Sequence, residues 1–205
     1  MTNSDKNILF QAAEAWMELT NYRYIFTYGY KNKLYTITLG FAPSDFPHLA
    51  GFQYMKDIAA MPRVSPNKLL QKILDGAVDT EPFLRATKFD GYVAPRLRAI
   101  MRLKESLDTE FSLYKYMPRF YSFYTNIKAD YLISSHIDNT DFIFIINSNN
   151  GFSSVEYTCC LIFEQNERNY VEGQRERILL KKERIFFPLN KTDILYDRLT
   201  CTSEE

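Results

Sequence analysis

The chain of 205 residues has few of the residue types that most often carry chemistry, with two histidines, three cysteines and one tryptophan. It has no excess of either charge, since 25 Lys and Arg residues balance 25 Asp and Glu residues. A chain without net charge does not attract DNA, RNA or an anionic membrane at long range. Any contact with a nucleic acid must therefore come from a local patch.

Cys159, Cys160 and Cys201 do not have the spacing of a zinc site, and the adjacent pair cannot easily form a disulfide bond. This cysteine usage favours a reducing, cytoplasmic setting. No apolar run approaches the roughly 18 residues of a membrane span. Residues 1–8 also lack the pattern of a signal peptide. We therefore expect neither export nor insertion into a membrane.

Several motifs that bind nucleotides, metals or acyl groups are absent. The sequence has no Walker phosphate loop, no glycine-rich dinucleotide fingerprint, no Gly-x-Ser-x-Gly elbow and no His-Glu-x-x-His pair. Carboxylates are scattered, and Cys159 and Cys160 lie in an apolar stretch where packing is the expected role. The sequence therefore predicts no cofactor and no bound metal, and it leaves cofactor-free chemistry or plain binding.

Hydrophobic periodicity divides the chain into helical and extended parts. Apolar residues at three- to four-residue spacing predict helices over residues 5–19 and 94–107. Pro66 after a serine is a strong helix start, and this helix is expected to end at Gly76. Alternating patterns predict strands over residues 22–28, 35–39, 111–116, 129–137, 142–146, 155–163, 177–181 and 184–187.

The later strands follow one another without intervening helices, so they are expected to pair antiparallel. The sequence thus predicts an α+β fold, with helices packed on a mainly antiparallel β-sheet. The chain length is typical of one domain, which we place over residues 1–205.

The two histidines are the first candidates for catalysis. His48 lies between Pro47 and Gly51 in a predicted loop, and loops on rigid scaffolds often carry sites. Imidazole transfers protons near neutral pH, although a histidine that only shapes the turn would give the same pattern. His136 shares a predicted strand face with Lys128, which could stabilise developing charge, but a solvated sheet edge would look identical.

Basic residues form two clusters that could bind phosphates or could be solvated faces. Tyr170, close to the second cluster, could stack on a base, as in proteins that bind single strands. Acidic neighbours of the second cluster weaken its field, so both interpretations stay open. The clusters are Arg96, Arg98, Arg102 and Lys104, and Arg175, Arg177, Lys181, Lys182 and Arg184.

Four stretches together resemble a known family. They cover residues 45–52, 127–133, 170–175 and 179–185, and begin Asp-Phe-Pro-His-Leu-Ala-Gly-Phe, Ile-Lys-Ala-Asp-Tyr, Tyr-Val-Glu-Gly-Gln-Arg and Leu-Leu-Lys-Lys-Glu-Arg. In this order, over most of the chain, they resemble the fourth phage-associated barnase/EndoU/colicin/RelE-like nuclease family. Ala50 stands where the family pattern has Thr, so no hydroxyl role is expected there.

The resemblance implies a bacterial domain, often carried by phages or mobile elements, with helices packed on an antiparallel sheet. It also implies cleavage of RNA without a metal ion, by attack of a 2′-hydroxyl on its own phosphate. His48 matches the family's Phe-x-His-Leu pattern, Lys128 its Lys-x-Asp-Tyr pattern and Gln174 its Gly-Gln pattern.

The leading hypothesis is a toxin-like endoribonuclease in which His48 transfers the proton. Lys128 or Arg175 would stabilise phosphate charge, and Gln174 or Tyr170 would hold the substrate. The alternative is an inactive nuclease-like module that binds RNA, a protein inhibitor or a host protein, because a fold does not dictate function. A transferase acting on nucleotide-derived substrates is a weaker alternative, and the sequence predicts no oligomeric state.

Overall fold

The computed structural model describes residues 8–57, 65–78, 81–137, 140–148, 157–165 and 167–200. The helices in these ranges are α1 (Ile8–Leu19), α2 (Phe46–Leu49), α3 (Pro66–Leu74), α4 (Glu81–Leu84) and α5 (Ala94–Asp108). The strands are β1 (Tyr22–Tyr30), β2 (Lys33–Gly40), β3 (Phe111–Lys115), β4 (Tyr131–His136), β5 (Thr140–Asn147), β6 (Tyr157–Glu164), β7 (Arg175–Phe186) and β8 (Lys191–Asp197).

The strands form one sheet that closes on itself. Seven strands follow one another in the order β1-β2-β6-β5-β4-β3-β7, and β7 pairs back with β1. The contact of β2 with β6 is a ladder of two residue pairs and is the only parallel pairing among the described strands. β3 and β8 pair with successive parts of β7, so β8 extends the sheet beside the closed ring.

The prediction of helices packed on a mainly antiparallel open sheet is wrong, as is the barnase/EndoU/colicin/RelE-like fold that the resemblance implied. The strands instead close into a seven-stranded barrel, to which β8 is added. Closure depends on β7, which is one strand of 12 residues rather than the two strands predicted over 177–181 and 184–187. Register shifts in the β1–β7 and β7–β8 ladders mark bulges, and bulges increase the bend of a strand.

The helical predictions fare better. The helix starting at Pro66 and the helix over residues 94–107 are confirmed by α3 and α5. The first helix is confirmed over Ile8–Leu19, while residues 5–7 lie outside the described residues. Cys201 and residues 155–156 of the predicted strand also lie outside them. No helix in the described part of the chain combines the length and apolar character needed to cross a membrane.

One face of the strands and the helices α1, α3 and α5 share the main hydrophobic core. Trp16 of α1 is fully buried there, and its indole N–H donates to the Ala42 carbonyl at 3.0 Å. Within the same core, the hydroxyls of Tyr28 in β1 and Tyr131 in β4 bond at 2.6 Å, although these strands are not neighbours in the ring. This contact joins the two sides of the barrel.

A buried ion network fastens α5 to the barrel wall. The guanidinium of Arg102 donates Nη2–H to Asp141 Oδ1 at 2.8 Å and Nε–H to Asp141 Oδ2 at 3.0 Å. It also donates to Glu164 at 2.8 Å, and Arg98 reaches the same carboxylate. Burial lowers the pKa of Arg102, but its bonds to Asp141 and Glu164 outweigh burial and raise that pKa. The network holds β5 and β6 against α5.

Candidate functional site

A groove runs along the outer face of β6 and consists of two adjoining cavities. The first encloses about 350 Å³, and its lining includes His48, Lys128 and Cys160. The second encloses about 570 Å³, and its lining includes Tyr92, Arg96, Arg168 and Tyr170. Tyr54, Ile127 and Leu161 line both cavities. We call their union the His48–Arg96 groove.

His48 reaches the groove from α2, the single turn that follows β2. Phe46 and Leu49 of α2 are fully buried, so the turn docks on the core and leaves His48 exposed. The hydroxyl of Thr158 in β6 donates to Asp45 Oδ2 at 3.1 Å, which ties the start of this turn to the barrel. The predicted loop that holds His48 is therefore a compact segment that fixes the backbone of this residue.

Gly51 brings this segment against α5. Its φ is +82°, a left-handed conformation that residues with a Cβ rarely adopt. A Cβ on Gly51 would lie 2.9 Å from Cδ of Arg96 and 3.3 Å from the Tyr54 ring. Only glycine therefore allows the backbone to pass this closely over Arg96.

Arg96 is the residue of this groove whose state is most unusual. It lies in the first turn of α5, directly after a π-helical turn (Phe89–Val93), and only 8% of it is exposed. Its guanidinium sits over the Tyr54 ring at 5.1 Å from the centroid, and its Nη1 has no hydrogen-bond partner. It forms no ion pair with any carboxylate in the described part of the chain. Burial lowers the pKa of Arg96, although Tyr54 opposes this shift.

A buried guanidinium without a counter-ion is costly to a folded protein. Arginine nevertheless stays protonated at physiological pH, because its ordinary pKa lies above 12. A residue that burial perturbs in this way and that lines a cleft is a candidate for a functional site. Sequence reasoning named Arg96 only as one member of a basic cluster and missed its burial.

Lys128 enters the groove from the other side, on the segment that leads into β4. Its side chain is exposed, and its backbone carbonyl accepts a weak hydrogen bond from Cys160 Sγ at 3.5 Å. The motif partners of Lys128 hold this segment in place. Asp130 accepts a bond from the backbone N–H of Asn147 at 2.9 Å and pairs with Lys115 at 3.5 Å.

Two exposed tyrosines flank the buried arginine. Tyr54 and Tyr92 are 41% and 46% exposed, and their ring centroids lie 5.6 Å apart. Asp57, just after Tyr54, accepts bonds from the backbone N–H and the hydroxyl of Thr87, and these bonds lower the pKa of Asp57. Aromatic faces beside cations are the surfaces on which the bases of single-stranded nucleic acids stack.

Comparison with known proteins now decides the family. A family model described as phage-Barnase-EndoU-ColicinE5/D-RelE like nuclease4 matches residues 8–199, which is nearly the whole chain. The chain belongs to this phage nuclease-like family. Neither the curated proteins nor the solved structures searched contain a match to it.

Of the family motifs identified in the sequence, two meet in the groove and one does not. His48 and Lys128 line the same cavity. Gln174 instead forms two hydrogen bonds with the backbone of Met117. Its Oε1 accepts from the Met117 N–H at 2.7 Å, and its Nε2 donates to the Met117 carbonyl at 3.2 Å. In this member of the nuclease-like family, Gln174 therefore joins two loops.

The remaining candidates lie in three different places. Tyr170 is mostly buried among aromatic rings and lines the Arg96 end of the groove. His136 is exposed at the far end of β4 from Lys128, and its Nδ1 bonds with Thr140 Oγ1 at 2.8 Å. Arg175 lies at the start of β7, where it lines a different cavity.

Cys159 and Cys160, the two cysteines in the described part of the chain, do not supply a nucleophile to this groove. Burial raises the pKa of the Cys160 thiol to about 12 and raises that of Cys159 well above its ordinary value. A thiolate is the nucleophilic form of cysteine, so both side chains are inert near neutral pH. Within the described ranges, no three His, Cys, Asp or Glu side chains are grouped as ligands for a metal ion.

Proposed function

We propose that this nuclease-like protein is an endoribonuclease that needs no metal ion and that the His48–Arg96 groove is its active site. The observation that carries the proposal is the meeting of His48 and Lys128 in one cavity, beside an arginine that is buried without a counter-ion. A proton acceptor can activate the 2′-hydroxyl of RNA, and neighbouring cations can stabilise the charge that develops on the phosphate.

In the proposed reaction, His48 takes the proton of the 2′-hydroxyl. The 2′-oxygen attacks the adjacent phosphorus, and the bond from phosphorus to the 5′-oxygen breaks. The products are a 2′,3′-cyclic phosphate and a 5′-hydroxyl, which takes its proton from water. The hydroxide left behind takes the proton from His48, so the imidazole returns to its initial state. Lys128 and Arg96 stabilise the additional negative charge on the phosphate oxygens, and Tyr54 and Tyr92 stack with neighbouring bases.

The proposal includes the setting in which the enzyme acts. Cys159 and Cys160 are free thiols, as expected in the reducing cytoplasm of a bacterium. A toxin-like ribonuclease in that compartment would need a protein inhibitor, so we also propose such a partner. The alternative of a binding module without activity is decided by the following experiment.

The test is cleavage of end-labelled RNAs, structured and unstructured, in the presence of a chelator. Wild type is expected to leave 2′,3′-cyclic phosphate ends. His48→Ala is expected to lower the rate at least about 100-fold, the lower range for loss of an acid–base group. Because His48 is exposed, the free energy of unfolding of the His48→Ala protein should differ from that of wild type by no more than about 0.5 kcal/mol.

His136→Ala serves as the comparison, because His136 is the other histidine of the chain and is also exposed. It is expected to cleave like wild type. Cleavage lost in His136→Ala and kept in His48→Ala would move the active site away from the groove. Binding of RNA without cleavage by wild type would favour the inactive binding module.

A further inference from the structure

A further cavity, of about 650 Å³, lies outside the His48–Arg96 groove, between the β1–β2 hairpin and the start of β7. Its charged residues are Lys31, Lys33, Arg175, Arg177 and Glu176. It shares no lining residue with the His48–Arg96 groove. We call it the hairpin groove.

The hairpin groove concentrates positive charge, although the chain as a whole has no net charge. Four cations face one carboxylate, and none of the four forms an ion pair with a carboxylate in the described ranges. The other basic residues of β7, which lie further along the strand, have carboxylate or backbone carbonyl partners. Lys181 pairs with Glu183, Arg184 pairs with Asp193, and Lys182 is buried against backbone carbonyls.

Aromatic rings hold the cations of the hairpin groove in place. The guanidinium of Arg177 lies 4.0 Å from the ring centroid of Tyr30, and the ammonium of Lys31 lies 5.3 Å from the same ring. Arg175 lies over Phe120 at 5.9 Å. Stacked guanidinium groups are oriented for the two-point hydrogen bonding that phosphate accepts. Burial raises the pKa of Tyr30, but the nearby cations outweigh burial, and the net pKa is lowered.

The hairpin turn carries a lysine where the backbone favours other residues. Lys31 and Asn32 have φ of 49° and 59°, as in a two-residue type I′ turn. Asn-Gly is the pair that suits this turn, and a lysine in the left-handed region is unfavourable. The turn therefore presents a cation at the mouth of the groove at a cost to the local backbone.

We propose that the hairpin groove binds the phosphodiester backbone of single-stranded RNA, away from the bond that is cleaved. The choice of RNA as the ligand rests on the proposed function. The groove combines guanidinium groups stacked on aromatic rings, the half-buried ring of Tyr30, and two lysines without a carboxylate partner in the described ranges. This combination matches a chain of phosphates with bases between them. Binding of an acidic protein would require the cations but not the aromatic rings, so the combination favours RNA.

The test measures binding of fluorescent 2′-O-methyl RNA, which cannot be cleaved through its 2′-oxygen, at several salt concentrations. The variant is Lys31→Asn/Lys33→Gln, which removes two exposed charges and keeps a turn residue that tolerates positive φ. We expect a Kd at least about tenfold higher at low salt. The slope of log K against log salt should fall by roughly 1.4, because each phosphate contact on a single strand contributes about 0.7.

Arg85→Gln/Lys191→Gln is the matched control. It removes the same net charge from two exposed cations that already have carboxylate partners, Glu81 and Asp193. It should leave Kd and slope close to those of wild type. Equal effects in both double variants would overturn the proposal, because a general field rather than a site would then be at work.

Further outcomes separate this inference from the proposed function. Salt-dependent binding that needs Lys31 and Lys33, in a protein that cleaves no RNA, would support the groove and refute the ribonuclease. An unchanged slope in a protein that cleaves RNA would refute the groove alone. Binding of poly-glutamate that depends on the two lysines, with RNA binding unchanged, would also refute it in favour of an acidic partner.

Discussion

Replacing Arg96 with methionine is expected to lower RNA cleavage by about 100- to 1000-fold while raising the free energy of unfolding. In the proposed reaction, the loss of activity follows from removing a positive charge that would stabilise the phosphate in the transition state, for which such factors are usual. The gain in stability follows because Arg96 is 8% exposed and has no counter-ion. An apolar side chain of similar length removes that desolvation cost, a change worth about 1 kcal/mol or more.

The measurement pairs single-turnover cleavage with urea unfolding of the same preparations. Arg85→Met is the control, because Arg85 is an exposed arginine just after α4 and pairs with Glu81 at the start of that helix. It should change neither quantity appreciably. An Arg96→Met variant that is less stable than wild type and cleaves RNA normally would show that Arg96 serves the fold and not the reaction.

Replacing Arg102 with methionine should have the opposite effect on stability and lower the free energy of unfolding by about 3 to 5 kcal/mol. Asp141 is 1% exposed and depends on both guanidinium bonds from Arg102. Removing the arginine takes both of these bonds from a buried carboxylate, and breaking a buried ion pair by removing one partner is strongly destabilising.

Arg98→Met is the matched control for Arg102→Met. Arg98 lies on the same helix and bonds the same Glu164, but its side chain is 43% exposed. Exposed ion pairs contribute about 1 kcal/mol or less. Urea unfolding at neutral pH should therefore separate the two variants clearly. Equal losses of stability would mean that burial of Asp141 does not set the strength of this network.

Local sequence patterns predicted individual helices and strands, but they did not predict that the sheet closes into a ring. The spacing of apolar residues predicted α1 and α5, and alternation predicted β1 and β2. The ring depends on a parallel ladder of two residue pairs between β2 and β6, which are far apart in the chain. So short a contact leaves no periodic signature in either strand.

The predictions for the end of β7 and for β8 failed for a second reason. Strands were predicted over residues 177–181 and 184–187, on either side of the charged pair Lys182 and Glu183. The strand continues because ion pairs and backbone carbonyls at the end of α5 satisfy these side chains. β8 was not predicted, because none of its side chains is fully buried and it begins just after Asn190, whose φ is 47°.

The candidate site was predicted in part. The setting of His48 in a loop and its match to a family pattern singled it out, and the family pattern also selected Lys128. Neither the spacing nor the charge of residues 94–107 indicated that Arg96 would be buried while Arg98 stays half exposed. That difference arises when Gly51 packs on Cδ of Arg96, a tertiary contact between distant parts of the chain.

The central claim, that nucleic acid occupies the groove at His48, is tested most directly by histidine NMR. The chain has two histidines, so their C2–H resonances can be assigned with His48→Ala and His136→Ala. Wild type would be titrated with 2′-O-methyl RNA in the presence of a chelator. The account predicts a saturable shift of the His48 resonance, with the Kd of RNA binding, and no shift of His136. Saturated RNA binding with the His48 resonance unmoved would contradict it.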